Sequence, residues 1–357
     1  MQLINIIWQS HHHENPLIIT INLTKPEKNN KDIKKLLTLK QNNYPKTVLS
    51  KENVGYRGHA KHASRQNIRV IDVVLNGENW FWQYSPYAYY KEHMIVINEA
   101  VVPMVVNRST LIKLIDFVDQ YPHYFLGSNA SLPIIGGSIL NHEHYQGGLE
   151  KLPMHYAKPL LQFKNDTYKD ITVSILDWYN SVIQIKSKDK SDLLEVATKY
   201  LDAWSTYNHQ TLNILSHTDD VKHNSAAVIV RKVDDGYTLD MILRNNRTNE
   251  HYPEGIFHAH PKYHHIKSEG IGLIEAMGLF ILPPRLKREL QSITQLLQMP
   301  KLTIDDIPSD LDIHKSWIMD LEHKLNDSHL TTQAYQAYLY KEIDLICEQI
   351  LYNTAVF

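Results

Sequence analysis

The run Gly136-Gly-Ser-Ile-Leu-Asn-His-Glu-His-Tyr-Gln-Gly-Gly148 constrains this chain more than any other stretch. His142, His144 and Gln146 are spaced two apart. In extended backbone, alternate side chains point to opposite faces, so these three form a row on one side of a strand. Glu143 and Tyr145 then face the other way. Gly136, Gly137, Gly147 and Gly148 flank the row and let a ligand approach the backbone closely. Two imidazoles and an amide in a row suit chemistry on a phosphate. A neutral imidazole attacks phosphorus near pH 7 without first losing a proton. The amide N–H2 of Gln146 can stabilise oxygens that gather charge. An isolated H-x-H has a plainer reading, in which one histidine packs and the other faces water.

The rest of the chain reads as two halves and a helical tail. Residues 1–67 are polar and irregular, apart from a strand around 17–23; residues 25–40 form a solvated surface or short helix. Strands at 68–75 and 79–84 flank Asn76-Gly77, a strong two-residue hairpin signal. A short strand at 94–97 follows, then a helix from an N-cap at Ser109 to Gln120, with Leu111, Leu114, Ile115 and Val118 on one face. In the second half, a helix at 191–206 carries a stripe of Leu194, Ala197, Leu201 and Trp204. A hairpin of 226–233 and 237–243 turns around Asp235-Gly236, and a second alternating pair, His258-Ala-His260, follows it. A hairpin followed by H-x-H thus occurs twice, a faint internal duplication. From Leu286 onward two apolar stripes mark helices: Leu286, Leu290, Ile293 and Leu297, then Tyr335, Leu339, Ile343, Ile346 and Ile350.

Composition excludes several classes. With 357 residues and 43% hydrophobic content, the chain is long enough for one large core or two modest ones. A formal net charge of -2 provides no field to recruit nucleic acid or an anionic membrane. No apolar run approaches the roughly 20 residues of a membrane helix, and the N-terminus has no signal-peptide pattern. A single cysteine, Cys347, precludes an intramolecular disulfide and fits a reducing cytoplasm. His11-His-His13 reads as incidental, although such tracts also bind metals.

Taken from Phe125 to Gly148, the histidine run resembles the active-site signature of the class II galactose-1-phosphate uridylyltransferases. These are UDP-glucose–hexose-1-phosphate uridylyltransferases of the histidine-triad superfamily. Further islands resemble the same family: residues 19–28, Tyr84-Ser-Pro-Tyr-Ala-Tyr-Tyr-Lys-Glu-His93, Leu243-Arg-Asn-Asn246, residues 258–267, and Gly272-Leu-Ile-Glu-Ala-Met-Gly278. They cover most of residues 17–290.

The resemblance implies roles where residues match. His144 takes the place of the nucleophile that carries uridylyl, with Gln146 on the phosphoryl oxygens and His142 beside them. Asn129 and Ser138 match positions near the nucleotide, and Gly136 and Gly137 join them as candidate substrate contacts through their close backbone approach. Arg65, Asn67 and Arg69 match a basic segment near the UDP, where an arginine fork fits phosphate; a solvated basic turn is the plain alternative. His223-Asn224 resembles a family dipeptide of unassigned role. The implied partners are UDP-glucose and galactose-1-phosphate, and the implied assembly is a homodimer.

Departures from the family pattern are as informative. The family carries C-x-x-C after Tyr-Pro-Lys, as a zinc clasp, but here Tyr44-Pro-Lys46 is followed by Thr47-Val-Leu-Ser50. A third ligand, histidine in the family, is Val101 here. His142 is left nearly alone, and the expectation is that zinc is absent. His258 and His260 are candidates for iron or another divalent metal, with His251, His264, His265, Glu150 or His155 as further ligands; hydrogen-bonded core groups are the alternative. The family also has a segment ahead of the part matching Ile6-Ile-Trp8. Its absence here fits a dispensable segment, one supplied by another chain, or a truncated product.

The expected fold is α+β: two histidine-triad-like halves with antiparallel sheets, at 1–160 and 161–285, and a helical region at 286–357. The expected function is uridylyl transfer from UDP-glucose to galactose-1-phosphate, in the cytoplasm, without nucleic acid or membrane partners. The alternatives are an inactive paralogue that binds UDP-sugars and a nucleotide hydrolase or phosphorylase of the same superfamily.

Overall fold

The structure, a computed structural model, describes residues 5–11, 14–23, 44–58, 62, 64–164, 167–234, 236–325 and 330–357. The expected surface segment at 25–40, and His12 and His13, lie outside the described residues.

Five strands of the first half are β3 (Ile71–Leu75), β4 (Glu78–Tyr84), β5 (Met94–Asn98), β6 (Phe125–Ser128) and β7 (His144–Gly148). Five of the second half are β8 (Pro159–Lys164), β9 (Thr172–Leu176), β10 (Val182–Ser187), β13 (Asn224–Val233) and β14 (Gly236–Asn245). A two-stranded ribbon, β11 (His217–Thr218) and β12 (Val221–Lys222), precedes β13. All ten join in one sheet in the order β3-β4-β5-β7-β6-β13-β14-β10-β9-β8, and every neighbouring pair is antiparallel. Each side is three strands, a helix, then two strands, laid out in the same order from the centre. The two sides meet where β6 pairs with β13, with Gly127 opposite Ile229. The same strand order thus occurs on both sides of the centre. The counterpart of the β6–β7 pair is the β13–β14 hairpin itself, so His258-Ala-His260 is not a repeat of the histidine strand.

That histidine pair is not on a strand at all. It lies in the irregular segment after β14, where Gly255 has φ +121° and Pro261 provides no backbone N–H. Both features oppose a ladder.

One sheet face packs on helices α1 (Arg108–Gln120) and α2 (Lys190–Thr206), burying Leu126, Tyr145, Val228, Val230, Leu239 and Met241. The α1 cap is Asn107, one residue before the helix, because its side chain accepts from the N–H groups of Ser109 and Thr110 while Thr110 answers as a capping box. The Ser109 cap expected from sequence is displaced accordingly. In α2 the buried stripe is Leu193, Val196, Ala197, Leu201 and Trp204, so Leu193 replaces the expected Leu194.

The other face bears Phe125, Ala227, Ile229 and Ile242, and is covered by the C-terminal region. There β1 (Ile6–Gln9), β2 (Ile18–Ile21) and β15 (Leu279–Leu282) form a small sheet, with β15 parallel to β2. Short α3 (Leu273–Ala276), then α4 (Arg285–Leu296), α5 (Lys315–Leu325) and α6 (Thr332–Asn353), complete the cover. Both expected apolar stripes are buried in that core. Among the described residues, no helix is long and apolar enough to cross a membrane.

Candidate active site

The strand pairings bring the candidate residues together. Gly127 on β6 pairs with Gln146 on β7, and Asn129 directly follows the end of β6. On the helix-facing side, the Glu143 carboxylate accepts from Tyr145 Oη at 2.7 Å, Asn98 Nδ2 at 2.9 Å and the buried Lys113 Nζ at 3.1 Å. Trp80 stacks on Tyr145 with ring centroids 4.9 Å apart. The alternation read from the sequence is thus present, with Glu143 and Tyr145 anchored behind the histidine row.

His144 is held from two sides. Its backbone N–H donates to Met104 Sδ at 3.2 Å, and its ring Nδ1 donates to the His142 carbonyl at 2.8 Å. A carbonyl can only accept, so Nδ1 carries the proton and the neutral ring keeps its lone pair on Nε2. Burial pushes the His144 pKa down to about 4, partly offset by that carbonyl. The ring is therefore neutral at pH 7.

His142 is fully buried and uses both ring nitrogens: Nε2 donates to the Asn98 carbonyl at 2.7 Å, and Nδ1 lies 2.7 Å from Thr47 Oγ1. Burial also lowers its pKa. Gln146 is oriented by His93, whose Nε2 lies 3.3 Å from Gln146 Oε1. Burial pushes the His93 pKa down to about 4, and its ring sits against those of Tyr89 and Tyr90. A neutral His93 donating from Nε2 turns the Gln146 N–H2 away from itself. His93 closes the Tyr84–His93 island, but nothing in the spacing of that island marks it.

The flanking glycines are required by the protein itself. A Cβ on Gly136 would lie 2.4 Å from the Ala130 carbonyl oxygen, on Gly147 2.5 Å from that of Phe125, and on Gly148 2.4 Å from the Tyr90 ring. Gly137 faces Asn129 Nδ2, which a Cβ there would approach to 3.1 Å. Asn129 Oδ1 accepts from Leu273 N at 2.8 Å, while the buried Nδ2 has no hydrogen-bond partner among the described residues. That uncommitted amide donor is the feature of the expected nucleotide set that most invites a ligand. Ser138 is exposed in the loop before β7.

The remaining expected residues sit elsewhere. Asn67 and Arg69 are exposed and Arg65 half-buried, ahead of β3, the outermost strand; Arg69 donates to the Gln66 and Ile68 carbonyls. His223 joins Asn246 Oδ1 at 2.8 Å and Thr218 Oγ1 at 2.9 Å. Asn224 donates to the Trp204 and Tyr207 carbonyls. These two brace the start of β13.

The histidines at 258–265, the expected metal candidates, are each tied to the backbone through one ring nitrogen. His258 Nε2 accepts from Ile271 N, His260 Nε2 meets the Ile256 carbonyl, His264 Nε2 that of Ala259, and His265 Nδ1 that of Lys262. Among the described residues, no three His, Cys, Asp or Glu side chains converge on one point.

The family model for "Galactose-1-phosphate uridyl transferase, C-terminal domain" matches residues 117–317. A galactose-1-phosphate uridylyltransferase of Caldanaerobacter subterraneus subsp. tengcongensis is 43% identical over 99% of this chain and 69% of its own length. One from Clostridium acetobutylicum is 44% identical over 99% of this chain and 70% of its own, and one from Staphylococcus carnosus 40% identical over the same shares. Among solved structures, a DUF4931 family protein from Bacillus cereus overlays at TM-score 0.31 with 14% identity, covering 47% of this chain and 83% of that one, a likeness too slight to bear on the fold. With relatives this similar over nearly its whole length, the chain belongs to the galactose-1-phosphate uridylyltransferase family.

Proposed function

We propose that this chain transfers uridylyl from UDP-glucose to galactose-1-phosphate, with His144 Nε2 as the nucleophile. The observation that carries the reading is the 2.8 Å bond from His144 Nδ1 to the His142 carbonyl, which leaves the Nε2 lone pair free on a ring that burial keeps neutral.

In the first step, that lone pair forms a bond to the α-phosphorus while the bond from phosphorus to the bridging oxygen breaks. The electrons leave with that oxygen on glucose-1-phosphate, a phosphate that needs no proton to depart. The uridylylated ring is now a cation with Nδ1–H still on the His142 carbonyl, and hydrogen bonds to charged groups contribute roughly 1.5–3 kcal/mol. In the second step, a phosphate oxygen of galactose-1-phosphate attacks the same phosphorus, the P–N bond breaks, and His144 returns neutral. No general base is required in either direction. Gln146 N–H2 and Asn129 Nδ2 are read as the amide donors to the oxygens that gather charge.

Arg65, Asn67 and Arg69 are read as outer contacts to the UDP, and the protein as a homodimer. The test is intact mass after brief exposure to UDP-glucose alone, beside His144→Ala. A uridylyl adduct on the wild type, absent from the variant and discharged by galactose-1-phosphate, is expected. An adduct discharged equally by water or inorganic phosphate would favour a hydrolase or phosphorylase, and UDP-glucose binding with no adduct would favour a silent paralogue.

A further inference from the structure

We propose that Thr47 is a positioning residue for His144, locking by hydrogen bonds the imidazole beside the nucleophile. The inference rests on His144 being the nucleophile. The geometry gives Thr47 a single hydrogen-bond direction. Its Oγ1 accepts from the backbone N–H groups of Leu49 at 3.2 Å and Ser50 at 3.0 Å. A hydroxyl has two acceptor lone pairs and one hydrogen, so both lone pairs are engaged and the hydrogen points to His142 Nδ1, 2.7 Å away. His142 answers by donating from Nε2 to the Asn98 carbonyl on β5. The chain of bonds therefore runs one way: Thr47 hydroxyl to His142 Nδ1, and His142 Nε2 to Asn98.

Between its pinned ring and β7, His142 presents the carbonyl that receives His144 Nδ1–H. A shift of the His142 ring would move that carbonyl, and with it the direction of the Nε2 lone pair. The anchor is itself rigid. The Thr47 carbonyl accepts from Asn53 Nδ2 at 2.8 Å and Ser50 Oγ at 2.9 Å, and Thr47, Ser50, Asn53 and His142 are all buried.

The same bonds decide against zinc at this place. A ring nitrogen that binds a metal must offer its lone pair, and that of Nδ1 is taken by the Thr47 hydroxyl while Nε2 carries a proton. The hydroxyls of Thr47 and Ser50 are poor substitutes for thiolates, and Val101 has no donor. A hydrogen-bonded knot does in this chain what a metal clasp would otherwise do.

The test compares Thr47→Val, which removes the hydroxyl at nearly constant shape, with Thr47→Ser, which keeps it. Single-turnover formation of the uridylyl adduct and the Kd for UDP-glucose are read on both. Thr47→Val should slow adduct formation about 10-fold or more, as a small misplacement of a nucleophile does, with Kd changed by less than about threefold. Thr47→Ser should restore the rate. A wild-type rate in Thr47→Val, or equal losses in both variants, would overturn the proposal.

Nitrogen-15 spectra of wild-type histidine rings give a reading that needs neither turnover nor a folded variant. His142 should carry its proton on Nε2 and His144 on Nδ1. A His142 proton on Nδ1 refutes the Thr47 bond, whereas the expected spectra with no adduct in the wild type refute the nucleophile alone.

Discussion

The ring Nδ1 of His144 lies 2.8 Å from the carbonyl oxygen of His142, a bond between residues two apart in the chain. It sets the tautomer from the backbone, so no carboxylate is needed behind the nucleophile. The carboxylate of the adjacent residue, Glu143, faces the opposite side of the strand, tied to Lys113 and Tyr145. A neutral backbone partner suits a ring that must be uncharged to attack and charged in the intermediate.

The pH dependence of adduct formation follows from the depressed pKa of His144. With that pKa near 4, the single-turnover rate should stay level from about pH 8 to 5.5 and fall only as the pH approaches about 4. A limb centred near 6.5, the ordinary histidine value, would contradict the burial argument.

Stability should move in the same direction. His93 and His144 are both depressed to about 4 by burial, and unfolding returns each ring to about 6.5. The unfolded chain then binds protons that the folded chain refuses, so stability is full above about 6.5 and declines as the pH falls from there toward 4. A shift of this size is worth up to about 3 kcal/mol per ring. Thermal melts between pH 7 and 4.5 should show a steady loss of Tm, reduced in His93→Phe; an unchanged slope in that variant would count against a neutral His93.

His93 should also matter to the chemistry through Gln146. His93→Phe keeps a ring beside Tyr89 and Tyr90 and removes the 3.3 Å contact to Gln146 Oε1. The Gln146 amide is then free to flip, and kcat should drop by about 10-fold, against roughly 100-fold or more for Gln146→Ala, with little change in KM for either substrate. If His93→Phe raises KM and leaves kcat alone, His93 acts on substrate binding instead.

The sequence displays the His142-His144-Gln146 row because a two-residue period needs no tertiary information. It displays neither partner of that row. His93 reaches Gln146 only through the pairing of β5 with β7, a register fixed by the whole sheet. Thr47 is visible as an absent cysteine, but its hydroxyl becomes an anchor only once the 44–56 segment folds over β5 and β7. His258-Ala-His260 fails in the opposite way. Its two-residue spacing imitates a strand, and Gly255 and Pro261 around it forbid one. The helices are read well because 3.6-residue stripes depend on local pattern alone, and their caps less well because side-chain geometry chooses between Asn107 and Ser109.

The zinc argument gives a direct chemical prediction. Protein purified without chelator should contain far less than one zinc per chain, and incubation with a strong chelator should leave both Tm and adduct formation unchanged. Stoichiometric metal, lost together with activity, would mean that His142 has exchanged its Thr47 bond for a metal bond.

Gly148 tests how tightly the histidine strand is packed from beneath. A Cβ added here would lie 2.4 Å from Tyr90 Cε2 and 3.3 Å from the Lys91 carbonyl oxygen, while Tyr90 Oη donates to the Gly147 carbonyl at 3.2 Å. The Tyr90 ring is buried against His93 and Phe125, so it has little room to retreat. Gly148→Ala should therefore destabilise by about 1–3 kcal/mol, the usual cost of overpacking. Because Tyr90 also supports the His93 ring, displaced by the new methyl group it should disturb Gln146, lowering kcat along with Tm. Adding Tyr90→Leu to Gly148→Ala opens space for the methyl group and should recover part of the Tm but none of the kcat. Full recovery of both would show that Tyr90 serves only as packing.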